Sequence, residues 1–251
     1  MKLFYSLFLS LYLYCHTQFL QENIYILPKI HKIPKIIHHI WVGKKPIPES
    51  YLYFMSTWKK IHPEWEHRLW TDKDVENFPW KNKALFLRST NPGMKSDIWR
   101  YEILYNYGGV YVDTDMECIR SLNPIHERLE FYAGKDNMND NFHVANSLIG
   151  AAPNSKILKS MIDYLFFKEK TIDIKKLSFD DIQYITGPGL ITRHTKFLQK
   201  APIRDLKIIF TNEYFQPVGT QNNGVPKTEK EFFDVEHCCF AIHHNGCSWI
   251  K

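Results

Sequence analysis

The stretch SDIWRYEILYNYGGVYVDTD at 96–115 limits this chain more than any other, because it specifies a helix, an abrupt stop and a short strand that delivers two carboxylates to water. Ser96 is a favoured N-cap type, and Asp97 places negative charge where the helix dipole welcomes it, so the sequence predicts a helix beginning here. Ile98, Tyr101, Ile103, Leu104 and Tyr105 supply an apolar face at three- and four-residue spacing, while Asp97 and Arg100 lie one turn apart on another. Gly108 and Gly109 stop the helix, since glycine enters the left-handed conformation that helix ends commonly use. Val110, Tyr111 and Val112 then favour a strand, with Asp113 and Asp115 just past its apolar core and able to share a face.

Carboxylates at the carboxyl end of an α/β strand sit where such sheets bind ligands. They suit a hard divalent cation, magnesium or manganese, that keeps positions open for substrate phosphate. From the residues alone, a polar turn after a strand remains the alternative. The longer pattern, Ser-Asp-x-x-Arg-Tyr, Leu-Tyr, Gly-Gly-x-Tyr-x-Asp-x-Asp, resembles the sugar-nucleotide site of the glycosyltransferase family 32 group, which includes α-mannosyltransferases, and of the related large clostridial glucosylating toxins.

The flanking chain reads as alternating strands and helices. An apolar run at 33–42 predicts a first core strand with Trp41 at its mouth, its histidines His38 and His39 being structural. An amphipathic helix follows at 49–61, then a half-exposed strand at 65–70, with Thr71 or Asp72 able to cap a short helix. This order supports a right-handed parallel unit leading into the Ser96 helix. Later strands are expected at 130–134, 146–150 and 206–210, and a scaffold helix at 155–167. A polar loop at 136–141 suits a flap, and Asn146 is as readily a loop-closing residue as a site residue. Thr186-Gly187-Pro188-Gly189 is a turn before a helix.

With 251 residues, one α/β domain at 28–251 is expected behind a hydrophobic segment at 1–27. Within that segment 3–14 is apolar but short for a span, which leaves a membrane-contact helix, an anchor and a buried helix open; a membrane-associated, cytoplasmic or lumenal setting stays open with them. A net charge of +5 fits binding of an anionic nucleotide diphosphate. Basic residues are scattered among acids, which argues against nucleic acid as a partner. Five cysteines without a Cys-x-x-Cys pair give no disulfide framework; zinc held by Cys238, Cys239, Cys247 and His243 matches no common spacing, so buried thiols are the better reading.

The resemblance, spanning about 33–249, implies the GT-A fold, a mixed, mostly parallel central sheet flanked by helices. It implies a hexosyltransferase that takes a nucleotide-diphospho-sugar and retains anomeric configuration, the acceptor being a glycan, lipid-linked or protein group. By analogy Trp41 stacks on the base, Asp113 touches ribose, sugar or a metal-bound water, and Asp115 contacts the metal directly. Asp97, Arg100, Tyr111 and Asn146 line the sugar and phosphate, with Asp97, Arg100 and Asp113 as the catalytic set. The family also closes with Ala-x-His and a Ser-Trp pair, so His243 or Ser248 would complete the metal site and Trp249 the donor site. Two other classes compete. A haloacid-dehalogenase-like phosphotransferase expects Thr or Val where this chain has Glu117. A non-catalytic carbohydrate-binding or effector protein would not need Arg100, Asp113 and Asp115 intact.

Overall fold

The computed structural model describes residues 24, 27–136, 143–200, 206–217 and 225–246. The expected first strand, β1 (Ile36–Trp41), is followed by helix α1 (Glu49–Ile61) and strand β2 (Glu66–Thr71), and β1 and β2 pair in parallel as the sequence predicts. The expected helix after β2 is instead a turn in which Asp74 accepts from the Thr71 N–H and hydroxyl; a short helix α2 (Lys83–Arg88) comes later.

Helix α3 (Pro92–Tyr107) corrects the expected start at Ser96. Asn91 is the N-cap, accepting from the Met94 N–H at 3.0 Å, and Pro92 follows it. Proline suits this position because its missing N–H is one that a helix start cannot pair anyway. Nor does α3 present a charged side to water: residues 97–104 are all buried. Its end is as expected, with Gly108 at φ +64° and Gly109 at φ +100° turning the chain into β3 (Gly109–Val112). A Cβ on Gly109 would lie 2.6 Å from the Ile36 carbonyl, so the turn is closed to larger residues.

Strands β4 (Met116–Cys118), β5 (Phe131–Lys135) and β6 (Val144–Ala151) follow, then helices α4 (Lys156–Lys168), α5 (Phe179–Ile185) and α6 (Pro188–Thr195). Strand β7 (Lys207–Phe210), helix α7 (Glu229–His237) and strand β8 (Ala241–His243) follow among the described residues. The main sheet has the order β2-β1-β3-β6-β5-β7, and β6 alone runs against its neighbours. Its amino end therefore meets the carboxyl ends of β3 and β5 on one edge. A second, two-stranded ladder joins β4 to β8 and sets Met116 opposite His243.

Residues alternate between the two faces of the main sheet, as period-two side chains must. Tyr111, Phe131, Ala133 and Ile149 pack with α3, α4 and α6; Val110, Val112, Tyr132 and Leu148 pack with Trp58 of α1, Met116 and Phe215. Ile24 is buried in the second cluster. The segment 3–14 lies outside the described residues, and among those described no helix is long and apolar enough to cross a membrane. Cys118, Cys238 and Cys239 are buried, as expected.

Candidate active site

A cavity of about 770 Å³ opens at the edge where β1, β3 and β5 end and β6 begins. Trp41, Asp97, Arg100, Tyr111, Asp113, Asp115, Asn146 and His243 all line it, so the sheet brings together eight residues singled out from sequence. Ser248 and Trp249 lie outside the described residues.

Beneath the cavity floor Arg100 is almost wholly enclosed. Its Nη1 donates to the Asn146 carbonyl at 2.8 Å and faces Asp113 at 3.2 Å; Nη2 donates to Ser96 Oγ at 3.0 Å and faces Asp97 at 3.1 Å; Nε donates to the Ser96 carbonyl at 3.3 Å. The fixed fork of a guanidinium carries five N–H donors, of which three bond Ser96 and Asn146 while the charge faces both carboxylates. The pair with Asp97 is thus a buried ion pair rather than an exposed helix pair. Asp97 also accepts from Asn146 Nδ2 at 2.8 Å and from the Thr186 hydroxyl at 3.0 Å. Burial nevertheless raises its carboxyl to about 6, with Arg100, Asn146 and Thr186 pulling the other way. Asn146 is a strand residue, not a loop closer, because its amide is spent on Asp97 and the Tyr101 hydroxyl.

Asp113 accepts from the Tyr111 hydroxyl at 2.6 Å, and Tyr111 lies under the Arg100 guanidinium, 4.3 Å from ring centre to Cζ. Burial raises the Asp113 carboxyl, against the pull of Arg100. Asp115 behaves oppositely. Burial alone would raise it, but His243 and the Gly246 N–H, which donates to Oδ2 at 2.7 Å, hold it below the usual range. His243 Nε2 stands 3.2 Å from Asp115 Oδ1; burial disfavours its charge, yet Asp115 and then Asp113 and Asp136 lift it to about 9. Ligand atoms of Asp113, Asp115 and His243 all lie within 4.8 Å of one another. Two carboxylates and an imidazole with ligand atoms this close fit a divalent ion well.

The segment carrying His243 is pinned in place. The His244 ring stacks on Phe54 at 4.0 Å, and its Nε2 lies 3.0 Å from Glu117 Oε2. At the cavity's other end Trp41 donates to the Lys45 carbonyl at 2.7 Å and meets Tyr51 edge-on, leaving part of the indole open. His38 and His39 bond the Gly108 and Val112 carbonyls at 2.8 and 2.9 Å, which makes them structural, as expected.

Sequence reasoning missed Asp136, His143 and Gln216, which line the same cavity. None sits in a motif. Thr186 was visible only as part of a turn, although its hydroxyl is a direct partner of Asp97.

Residues 48–132 match the family described as a glycosyltransferase sugar-binding region containing DXD motif. An uncharacterised glycosyltransferase of Acanthamoeba polyphaga mimivirus is 26% identical over 86% of this chain and 84% of its own length. Inositol phosphoceramide mannosyltransferase 2 of Schizosaccharomyces pombe is 31% identical over 62% of this chain, which spans only 44% of that protein. The PaToxG glycosyltransferase shares the fold at a TM-score of 0.50, with 17% identity over 81% of this chain and 84% of its own. So does the catalytic domain of alpha-toxin from Clostridium novyi, at 0.50 and 13% identity over 72% of this chain and 75% of its own. With the Asp-x-Asp pair at the carboxyl edge of a mostly parallel sheet, these likenesses identify the chain as a glycosyltransferase with the GT-A fold, in which residues 48–132 match the DXD-containing sugar-binding region.

Proposed function

We propose that the protein moves a hexose from a nucleotide-diphospho-sugar to a hydroxyl acceptor, using a divalent cation held by Asp113, Asp115 and His243 and retaining the anomeric configuration. The observation that carries this reading is the convergence of those three ligand sets within 4.8 Å beside a buried arginine network. Manganese suits the mixed oxygen and nitrogen set better than magnesium, which prefers oxygen alone. When bound, such an ion stabilises the negative charge that builds on a departing diphosphate. Mannose is the favoured sugar because three fission yeast relatives are named mannosyltransferases.

The chain's own groups do the positioning. Arg100, bonded to Ser96 and Asn146 and paired with Asp97 and Asp113, fixes those carboxylates rather than reaching out to phosphate. Asp97, held from three sides, can accept sugar hydroxyls at one angle only, and preorganisation of this kind is where much of an enzyme's rate advantage arises. Asp113 lines the cavity, and Trp41 offers an aromatic face for a base.

Calorimetry of nucleoside diphosphates with manganese, with magnesium and after chelation tests the cation; equal affinity in all three would remove it. Hydrolysis of a panel of uridine and guanosine diphosphate sugars tests the reaction, and a wild-type protein that binds the diphosphate but cleaves none of them would refute it.

A further inference from the structure

Asp136 is a further carboxylate of the cavity, which the network described above uses only through its pull on His243. It directly follows β5, and its N–H donates to the His143 carbonyl at 2.9 Å, which closes the base of the connection to β6. The side chain is only 9% exposed. Oδ2 lies 3.5 Å from His143 Nδ1, while Oδ1 has no hydrogen-bond partner among the described residues. A buried acceptor left without a donor is costly, and this one lines a substrate cavity.

The cavity is divided by charge. Lys44 and Lys45 sit beside Trp41 at the β1 end, where an anionic diphosphate and its base would lie. Strand β5 is three places along the sheet from β1, about 14 Å at ~4.8 Å per strand. The cavity lining also includes Asp180, Gln183 and Gln216, acceptors and amides that suit a neutral ring donating several hydroxyls, and Asp136 acts on His243 as well.

We propose that Asp136 is a hydroxyl-recognising carboxylate in a subsite for a neutral sugar ring, belonging to the donor or to the acceptor. This rests on the glycosyl-transfer reading and names the residue that would read the sugar. The carboxylate accepts one or two hydroxyl protons in hydrogen bonds, and no covalent step is involved.

Asp136→Asn keeps the shape and removes the charge; Asp136→Ala removes both oxygens. The expected outcome for each is unchanged melting and nucleoside diphosphate affinity within about twofold of wild type, with a tenfold or greater loss in one of two sugar measurements. If hydrolysis of the nucleotide sugar that wild type cleaves loses that factor in kcat/KM, the ring is the donor's. If hydrolysis holds but methyl α-mannoside binds tenfold more weakly to the manganese and nucleoside diphosphate complex, followed by NMR titration, the ring is the acceptor's. Two unaltered sugar measurements would overturn the proposal, and so would a parallel loss of diphosphate affinity, which would mark Asp136 as part of the metal site. A wild-type protein that binds the diphosphate yet cleaves no nucleotide sugar is a different failure, that of the reaction itself.

Discussion

The two long faces of α3 are equally dry and unlike in every other respect. On one, Trp99 meets Trp70, Phe78, Trp80 and Phe86 at ring-centre distances of 5.8, 5.7, 5.1 and 5.4 Å. On the other, Asp97, Arg100 and Tyr101 are tied to Asn146, Thr186 and Asp113. Aromatic burial is nearly non-directional, so its strength lies in area and packing. The polar face is directional, and removal of one member strands the others. One helix thereby anchors a stable wall and holds a site at a fixed angle.

Arg100→Ala should break the polar face most severely. Asp97 and Asp113 would be left as buried carboxylates without a cation, which costs about 3–5 kcal/mol of stability when one partner of such a pair is removed. Turnover should fall a hundredfold or more, as the loss of preorganised polar contacts worth about 2.7–4 kcal/mol does elsewhere. Arg100→Lys should rescue little, because an ammonium cannot reproduce the planar fork. If a folded, donor-binding variant kept turnover within about twofold, the network would be architecture alone, and the expected loss of kcat at nearly constant KM separates the two outcomes.

Trp99→Ala is the counterpart on the aromatic face. It should cost about 3–5 kcal/mol in denaturant unfolding while kcat per folded molecule stays within about twofold. A comparable loss of kcat would show that the two faces are coupled.

Acid probes the join between them. Trp70 Nε1 donates to His38 Nδ1 at 3.1 Å, and burial lowers His38 to about 4; burial lowers His62 to about 4 and His126 to about 3. These rings fold neutral, so the unfolded chain takes up protons first. Stability is full above pH 6.5 and falls as the pH drops toward 4, by at most about 1.4 kcal/mol per pH unit for each ring. Asp97, raised to about 6 by burial, works in the opposite direction. Urea midpoints from pH 7 to 4 should decline, and His38→Gln should flatten the slope.

Smaller effects come from the rim. Trp41→Ala should weaken nucleoside diphosphate binding by about 1–3 kcal/mol, the range for a lost base-stacking partner, with little change in melting. If melting falls instead, Trp41 is core. Asn91→Ala should cost about 1 kcal/mol as a lost N-cap, whereas Ser96 should show no capping effect in α3-peptide helicity.

What could be read from the sequence was local. The glycine pair, the Val-Tyr-Val strand and the Asp97 and Arg100 spacing are short-range facts, and each is found as expected. The start of α3 was misjudged because Ser96-Asp97 and Asn91-Pro92 are both legitimate helix openings, and only the packed chain chooses. Thr186 reaches Asp97 across 89 residues and Asn146 across 49, separations that no spacing rule reports. The same holds for Asp136, whose importance depends on β6 running backwards beside β3 and β5. Strand direction is not written in a strand's own composition.

The ladder between β4 and β8 has a consequence for the order in which the protein can become competent. Asp113 and Asp115 leave the ribosome well before His243, which joins them through pairing across more than a hundred positions. Closing so long a loop is a late event. A growing chain can therefore bury the Arg100 network, with its Asp97, Asp113 and Asn146 partners all within the first 146 residues, while its cation site still lacks a ligand. On the proposed ligand set, architecture precedes chemistry during synthesis, because the third ligand arrives only when β8 docks on β4.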